Sequence, residues 1–252
     1  MNNKVIYTCL VGNYDRLVQP KIIYNDFDYI CFSNDISEEY VGVWKIKPIP
    51  YNHLNKTRLS RYVKLNPHKV LGEYDYSIWI DANIVIIDET LQKRVYELIE
   101  EGSIWAQIHH TFLNCIYEDI IRCVKMAKDN MDSLRLQYSF LKNEGYPSNN
   151  GLYENGLIFR RHNDKQVIQI TEAWWDQYMK ISQRDQQSLC YIYWKLDFTP
   201  DLLLPKGMDT RNHSGFILQS HTVSCMGKIN FKFKNYKNRI ILFFFQSRLF
   251  RD

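Results

Sequence analysis

Short apolar runs separated by polar turns dominate the first half of the chain, and longer runs with apolar residues at every third or fourth position dominate the second. Residues 4–11 read as a strand ending in the turn Gly12, Asn13, Tyr14, Asp15, and residues 29–32 as a second strand ending in Ser33, Asn34, Asp35. Residues 44–49 predict a third strand. The segment 55–66 reads as a helix with Leu59, Tyr62 and Val63 inward, Lys56, Arg58, Arg61 and Lys64 exposed, and Pro67 as its stop. Residues 77–80 and 84–87 read as buried parallel strand interrupted by Asp81 and Asn83. A helix over 89–101 and a strand over 104–108 continue the alternation.

From Ile116 the apolar residues Ile120, Val124, Ala127, Met131, Leu134, Tyr138 and Leu141 recur at helical spacing, which predicts one long amphipathic helix ended by Gly145 and Pro147. Residues 153–161 predict a strand, 165–180 a helix that packs Trp174 and Trp175 into the core, and 185–196 a helix with Asp185 as an N-cap candidate. Beyond Pro205 the pattern turns irregular, then basic and aromatic. The expectation is an α/β domain over 1–205 and a tail over 206–252 that completes the site or contacts a membrane.

A length of 252 residues fits one large α/β domain with at most a small appendage. The formal charge of +4, from 32 Lys+Arg against 28 Asp+Glu, is too mild for a dedicated nucleic-acid binder. The opening MNNKVIYTCLVG enters a strand at once and leaves no room for a signal peptide, and no apolar run approaches the ~18 residues of a membrane span. The expected location is cytoplasmic, with the tail a candidate for contact at the inner face of the cell membrane. Cys9, Cys31, Cys115, Cys123, Cys190 and Cys225 form no CxxC pair and sit in apolar surroundings, as buried free thiols do.

The interruption at Asp81 and Asn83 carries the strongest chemical signal. Unpaired carboxylates and amides are costly to bury, so a ligand is expected where they break an apolar strand. Two oxygen-bearing side chains two residues apart suit a hard divalent cation bridging to a diphosphate. A turn or a helix cap is the plainer alternative.

Six stretches extend this reading: VIYTCLVGNYD (5–15), FDYICFSND (27–35), KTRLSRYVKLNPHKVL (56–71), IWIDANI (78–84), ENGLIFRRHN (154–163) and SQRDQQSLCYIYWKL (182–196). In that order they resemble the glycosyltransferase-like domain family of plant mucilage-related proteins and bacterial polysaccharide loci. More distantly, the succession Asp-x-Asn, Asn-Gly-aliphatic, Asp-Gln is similar to the family-eight retaining sugar transferases. The resemblance implies an α/β GT-A (Rossmann-like) fold with a mixed, mostly parallel sheet flanked by helices. It also implies transfer of a sugar from a nucleotide-sugar donor, a UDP-sugar favoured, to a hydroxyl of a surface or lipid-linked glycan, with Mn2+ or Mg2+.

Asp81 and Asn83 match the metal positions, although Asn83 replaces a second carboxylate, so weaker metal binding or a metal-free mechanism resting on basic side chains stays open. His221, ahead of His213, is the candidate for the late histidine ligand. The first loop, with Thr8, Gly12, Asn13, Tyr14 and Asp15, lies where ligands settle in open α/β sheets, and Asp35 joins it as a partner for base or ribose. Lys56, Arg58 and Arg61 are candidates for the phosphates, or a solvated face. Asn155, Asp185 and Gln186 resemble residues lining the reacting sugar, Asp185 either as base in an inverting displacement or as hydrogen-bond partner of the donor sugar in a retaining one. His109, His110 and His162 are weaker candidates for sugar hydroxyls. Two other functions fit less well. A sugar nucleotidyltransferase would open with a Gly-rich basic loop, of which LVGNYDR is a poor version; a non-catalytic nucleotide-sugar-binding scaffold would show no turnover.

Overall fold

The computed structural model describes residues 3–12, 15–53, 55–220, 232 and 234–243. One eight-stranded sheet is built from β1 (Lys4–Cys9), β2 (Asp28–Phe32), β3 (Tyr40–Val41), β4 (Trp44–Lys47), β5 (Tyr76–Ile80), β7 (Trp105–His109), β8 (Tyr153–Arg160) and β9 (Asp201–Leu202), in the order β3-β4-β2-β1-β5-β8-β7-β9. Pairing is parallel along β4-β2-β1-β5 and at β7-β9, and antiparallel at β3-β4, β5-β8 and β8-β7. The sheet is therefore mixed and mostly parallel, as the family resemblance implies.

Period-two alternation sends the side chains of each central strand into two cores. Val5 and Tyr7 of β1, Ile30 of β2, Trp79 of β5 and Ile158 of β8 face one core; Ile6, Cys31, Ile78, Ile80, Leu157 and Phe159 face the other. Over the first lie α1 (Lys56–Leu65), α4 (Ile116–Lys125), α5 (Met131–Asn143), α6 (Lys165–Lys180) and α7 (Asp185–Lys195); over the second lies α3 (Thr90–Glu100), through Leu91, Val95 and Leu98. Asn66 caps α1, and Pro67 occupies the first turn of the short α2 (Pro67–Val70), where its missing N–H costs nothing. Trp174 is fully buried, and Trp175 packs at the margin of the same core. Cys9, Cys31, Cys115, Cys123 and Cys190 are buried free thiols; Cys225 lies outside the described residues.

Two expectations are corrected. The second half of the interrupted strand is not parallel: β6 (Ile84–Ile86) leaves the large sheet and pairs antiparallel with β10 (Phe216–Leu218). The hydrogen bond from Ile84 N–H to the Asp81 carbonyl, 2.9 Å, closes the turn that redirects the chain. The long helix from Ile116 is instead two helices, because α4 ends in a Schellman motif. The N–H groups of Ala127 and Lys128 bond the carbonyls of Val124 and Cys123, and Ala127 takes φ +49° in a position where glycine is usual. Asn130 then caps α5, its side chain accepting from the Asp132 N–H at 2.8 Å.

Within the tail, residues 234–243 are helical. Leu242 is 2% exposed, and Asn238 donates its amide to the Val124 carbonyl at 2.9 Å, so this helix docks at the end of α4.

An L-residue in the left-handed region costs roughly 1–2 kcal/mol. Ala127→Gly is therefore expected to raise stability by about 1 kcal/mol, seen as a higher urea midpoint at unchanged slope. A lower midpoint would show that the turn at Ala127 is not a strained helix end.

Candidate active site

Asp81 stands where β5 leaves the large sheet, its N–H bonded to the Gly156 carbonyl at 2.9 Å. Its Oδ1 accepts from Trp79 Nε1 at 2.8 Å and lies 3.7 Å from Lys64 Nζ. Asn83 is buried, and the Gln219 backbone beyond β10 holds it twice: its amide donates to the Gln219 carbonyl at 2.9 Å, and its own carbonyl accepts the Gln219 N–H at 2.8 Å. With the NH2 group committed, Oδ1 remains as the acceptor.

Helix α1 delivers the cations. Asn55 caps it by accepting from the N–H groups of Thr57 and Arg58, and Arg61 and Lys64, three residues apart, share a face. That face meets the first turn of α7. Lys64 Nζ lies 2.8 Å and Arg61 Nε 3.3 Å from the same oxygen, Oδ2 of Asp185. Lys64 is only 1% exposed, which corrects the sequence expectation of a solvated lysine; the carboxylates of Asp185 and Asp81 are what make its burial tolerable. Burial draws the Lys64 pKa below its ordinary value against the lift from Asp185 and Asp81. Burial pushes Asp185 upward, but Lys64, Arg61 and Arg184 overcome it and hold the carboxyl far below the usual range. Asp185 is also not the N-cap; Arg184 takes that position, and Asp185 opens the helix, where a negative charge is favoured.

Asn155 is aimed by a chain of hydrogen bonds whose direction is fixed at its far end. Trp105 Nε1–H can only donate, and it donates to Gln107 Oε1 at 3.2 Å, as does the Tyr193 hydroxyl at 2.5 Å. Gln107 must then present its NH2 group to Asn155 Oδ1, at 2.6 Å. Asn155 is left with a buried Nδ2 that has no partner in the protein and borders the cleft. A register shift between Gln107 and Ile108 in the β7-β8 ladder accommodates the strand here, in the way bulges re-aim side chains beside active sites. Gln186 likewise borders the cleft with a buried, unpartnered Nε2.

These groups line a cleft of about 330 Å3, where Arg61, Asp81, Asn83, Asn155, Asp185 and Gln186 converge. Asn83 also borders a second hollow of about 170 Å3, beside Asp15 and Arg16. Near them Gly12 donates its N–H to Asp35 at 2.5 Å. Gly12 has φ +75°, a conformation that strains any other L-residue, and a Cβ there would sit 2.7 Å from Lys56 Cδ and displace that lysine. Thr8 is fully buried in β1, and the Arg58 guanidinium turns to the Met179 carbonyl at 3.3 Å; neither lines the cleft or the hollow. His110 borders the large cleft, whereas His162 is buried against the Leu71 carbonyl and His213 accepts from the Gly215 N–H. Asn13, Tyr14 and His221 lie outside the described residues.

Sequence reasoning passed over Lys64, Arg122, Lys128, Arg184 and Gln107. For Lys64 the signal was present, since i,i+3 spacing puts it on the face of Arg61; for Gln107, buried in β7, there was none.

Asp81 and Asn83 together offer a carboxylate and an amide oxygen, which fits a hard cation that takes its other oxygens from a diphosphate and water. Among the described residues no group of three His, Cys, Asp or Glu side chains could complete a metal cage.

The model of the TOD1/MUCI70 glycosyltransferase-like domain matches residues 1–221, and the chain belongs to that family. Among curated proteins none matches it. Among solved structures, the apo form of the bifunctional glycosyltransferase WbbM is similar with a TM-score of 0.45 and 12% identity, over 95% of this chain and 44% of that one, so the chain spans less than half of WbbM.

Asp185 supplies a stability test. Its folded-state pKa is depressed, so its contribution is fully present above the unfolded value of about 3.9 and is lost as pH falls through the folded one. Asp185→Asn leaves Lys64 and Arg61 without their shared carboxylate and is expected to cost about 3–5 kcal/mol at neutral pH. Chemical denaturation should show the gap between the two proteins narrowing below about pH 4. A gap independent of pH would refute the ionic account.

Proposed function

We propose that this member of the TOD1/MUCI70 family transfers a sugar from a nucleotide donor, a UDP-sugar favoured, to a hydroxyl of a surface glycan such as capsule or lipopolysaccharide. The observation that carries the reading is the convergence of Asp81, Asn83, Arg61, Asn155, Asp185 and Gln186 on one cleft from separate parts of the chain. The hollow beside Asp15 and the Gly12–Asp35–Lys56 contact is the place for the nucleoside, with Asn83 between it and the reacting sugar.

In this reading Asp81 and Asn83 hold a Mn2+ or Mg2+ ion, which when bound neutralises the leaving diphosphate as a Lewis acid. Arg61 and Lys64 add positive charge on the same side. Asn155 and Gln186 donate N–H groups to oxygens of the donor, and Asp185 accepts from a sugar hydroxyl. The depressed pKa of Asp185 makes it a poor proton acceptor, which favours retention over an inverting displacement. In a retaining transfer the bond from the anomeric carbon to the phosphate breaks, the acceptor oxygen bonds on the same face, and the departing phosphate oxygen takes the hydroxyl proton.

No helix among the described residues is long and apolar enough to cross a membrane. The helix at 234–243 turns Tyr236, Ile240 and Phe243 outward, with Lys237 and Arg239 also exposed. Such a face suits contact with anionic lipid at the inner surface of the cell membrane, where a lipid-linked acceptor would be met.

Asp81→Ala is expected to remain folded and to lose at least about 100-fold in transfer, because charge at the leaving group is no longer compensated. A thermal-shift screen of UDP-, GDP- and CDP-sugars with and without Mn2+ should give a metal-dependent rise for one nucleotide class, absent in the variant. Slow donor hydrolysis separates a transferase from a scaffold. Full activity in Asp81→Ala, or binding without any turnover, overturns the proposal.

A further inference from the structure

The large cleft has a second charged wall that the donor reading leaves unused. Six cationic side chains line the cleft against four carboxylates, and each carboxylate already has partners. Asp81 is held by Trp79 and Lys64, and Asp185 by Lys64 and Arg61; Glu154 pairs with Arg211, and Asp119 accepts from Gln187 Nε2 at 3.0 Å. Among the described residues, the cations of the lining that form no ion pair are Arg122, Lys128 and Arg184.

Their grouping is imposed by the backbone. The Schellman turn that ends α4 at Ala127 carries Lys128 out of the helix and onto the cleft beside Arg122. Asp129 then staples this turn to the segment before α7, its Oδ2 accepting from the Ser182 hydroxyl at 3.0 Å and from the Gln183 N–H at 2.8 Å. That staple sets Arg184 alongside. The three cations act on one another: burial, then Arg184 and Arg122, lower the Lys128 pKa. Arg184 keeps a buried Nε with no hydrogen-bond partner. Against the cost of burial, Arg184 senses Cys123 first, then the carboxylates of Asp185 and Asp119. Like charges that outnumber the acids around a concave surface favour an anionic occupant. None of the three borders the hollow beside Asp15.

We infer that the wall formed by Arg122, Lys128 and Arg184 binds an oxyanion on the acceptor, so that the second substrate is a phosphorylated or carboxylated sugar and not a neutral one. The inference rests on the transferase reading for the word acceptor, but the anion site itself does not. Arginine suits bidentate recognition of either group, and Lys128 adds a point charge at the rim.

The test titrates glucose 6-phosphate, glucuronate and glucose into the protein saturated with UDP, followed by NMR or calorimetry. At least one anionic sugar is expected to bind about tenfold or more tightly than glucose, and the tighter of the two identifies phosphate or carboxylate as the group read. The double variant R122S/K128S should abolish the preference while leaving UDP affinity within about twofold. Equal affinity for all three sugars in the wild type overturns the inference. So does a variant that weakens UDP as much as the anionic sugar, since that would assign the wall to the donor diphosphate. Failure of UDP to bind at all would instead strike the UDP preference of the transferase reading, and the comparison of the three sugars would still report on the wall.

Discussion

The fully buried ammonium of Lys64 sets the terms for everything around it. Removing such a charge from water costs several kcal/mol even after relaxation, and only close, well-oriented counter-charges offset that. Asp185 at 2.8 Å and Asp81 at 3.7 Å supply them, and Arg61 shares Asp185. These four residues come from α1, α7 and the end of β5. The cluster therefore fixes the relative positions of three elements that sequence separates widely. Moving any one of them exposes a charge without its partner, so the geometry of the cleft is coupled to the stability of the fold.

A second constraint works with neutral groups. The path from Trp105 through Gln107 to Asn155 is a line of dipoles whose polarity is dictated by an indole that can only donate. Its outcome is an N–H donor held ready toward the cleft before any substrate arrives. Preorganised donors of this kind need no reorientation when charge develops, which is where enzymes gain most from electrostatics. Ionic cluster and dipole chain meet at one surface: the first contributes fixed charge, the second fixed direction.

The central strands, α6 and the break at Asp81 were readable from the sequence because each is a local statement. Apolar alternation, the helical period over 165–180, and polar residues inside an apolar run all act within a few positions. The region 116–143 was misread because its apolar period survives the turn; Ala127 adopts the conformation of a glycine without being one. Its side chain gives no hint of that, and only the neighbouring Asp129 and Asn130 mark the change. The reversal of β6 was hidden for another reason. Its partner β10 lies some 130 residues further on, in a stretch with few strand-like residues of its own. For the site, the identity of the acidic and amide residues was legible, but the partners that tune them were not. Gln107 looks like an interruption in a strand until Tyr193 and Asn155 are seen on either side of it, and Lys64 looks solvated until α7 is packed against it.

The turn between α4 and α5 carries a last implication. Lys128 reaches the cleft through the backbone path of that turn. Lengthening or shortening the segment 126–130 by one residue would rotate that ammonium out of the wall, and through the bonds from Ser182 and Gln183 to Asp129 the change would reach the residues just before Asp185. On the proposed reading, the anion-binding wall and the reaction centre are linked through Asp129 and Arg184. A change of loop length at this turn would then alter the wall and the setting of Asp185 together.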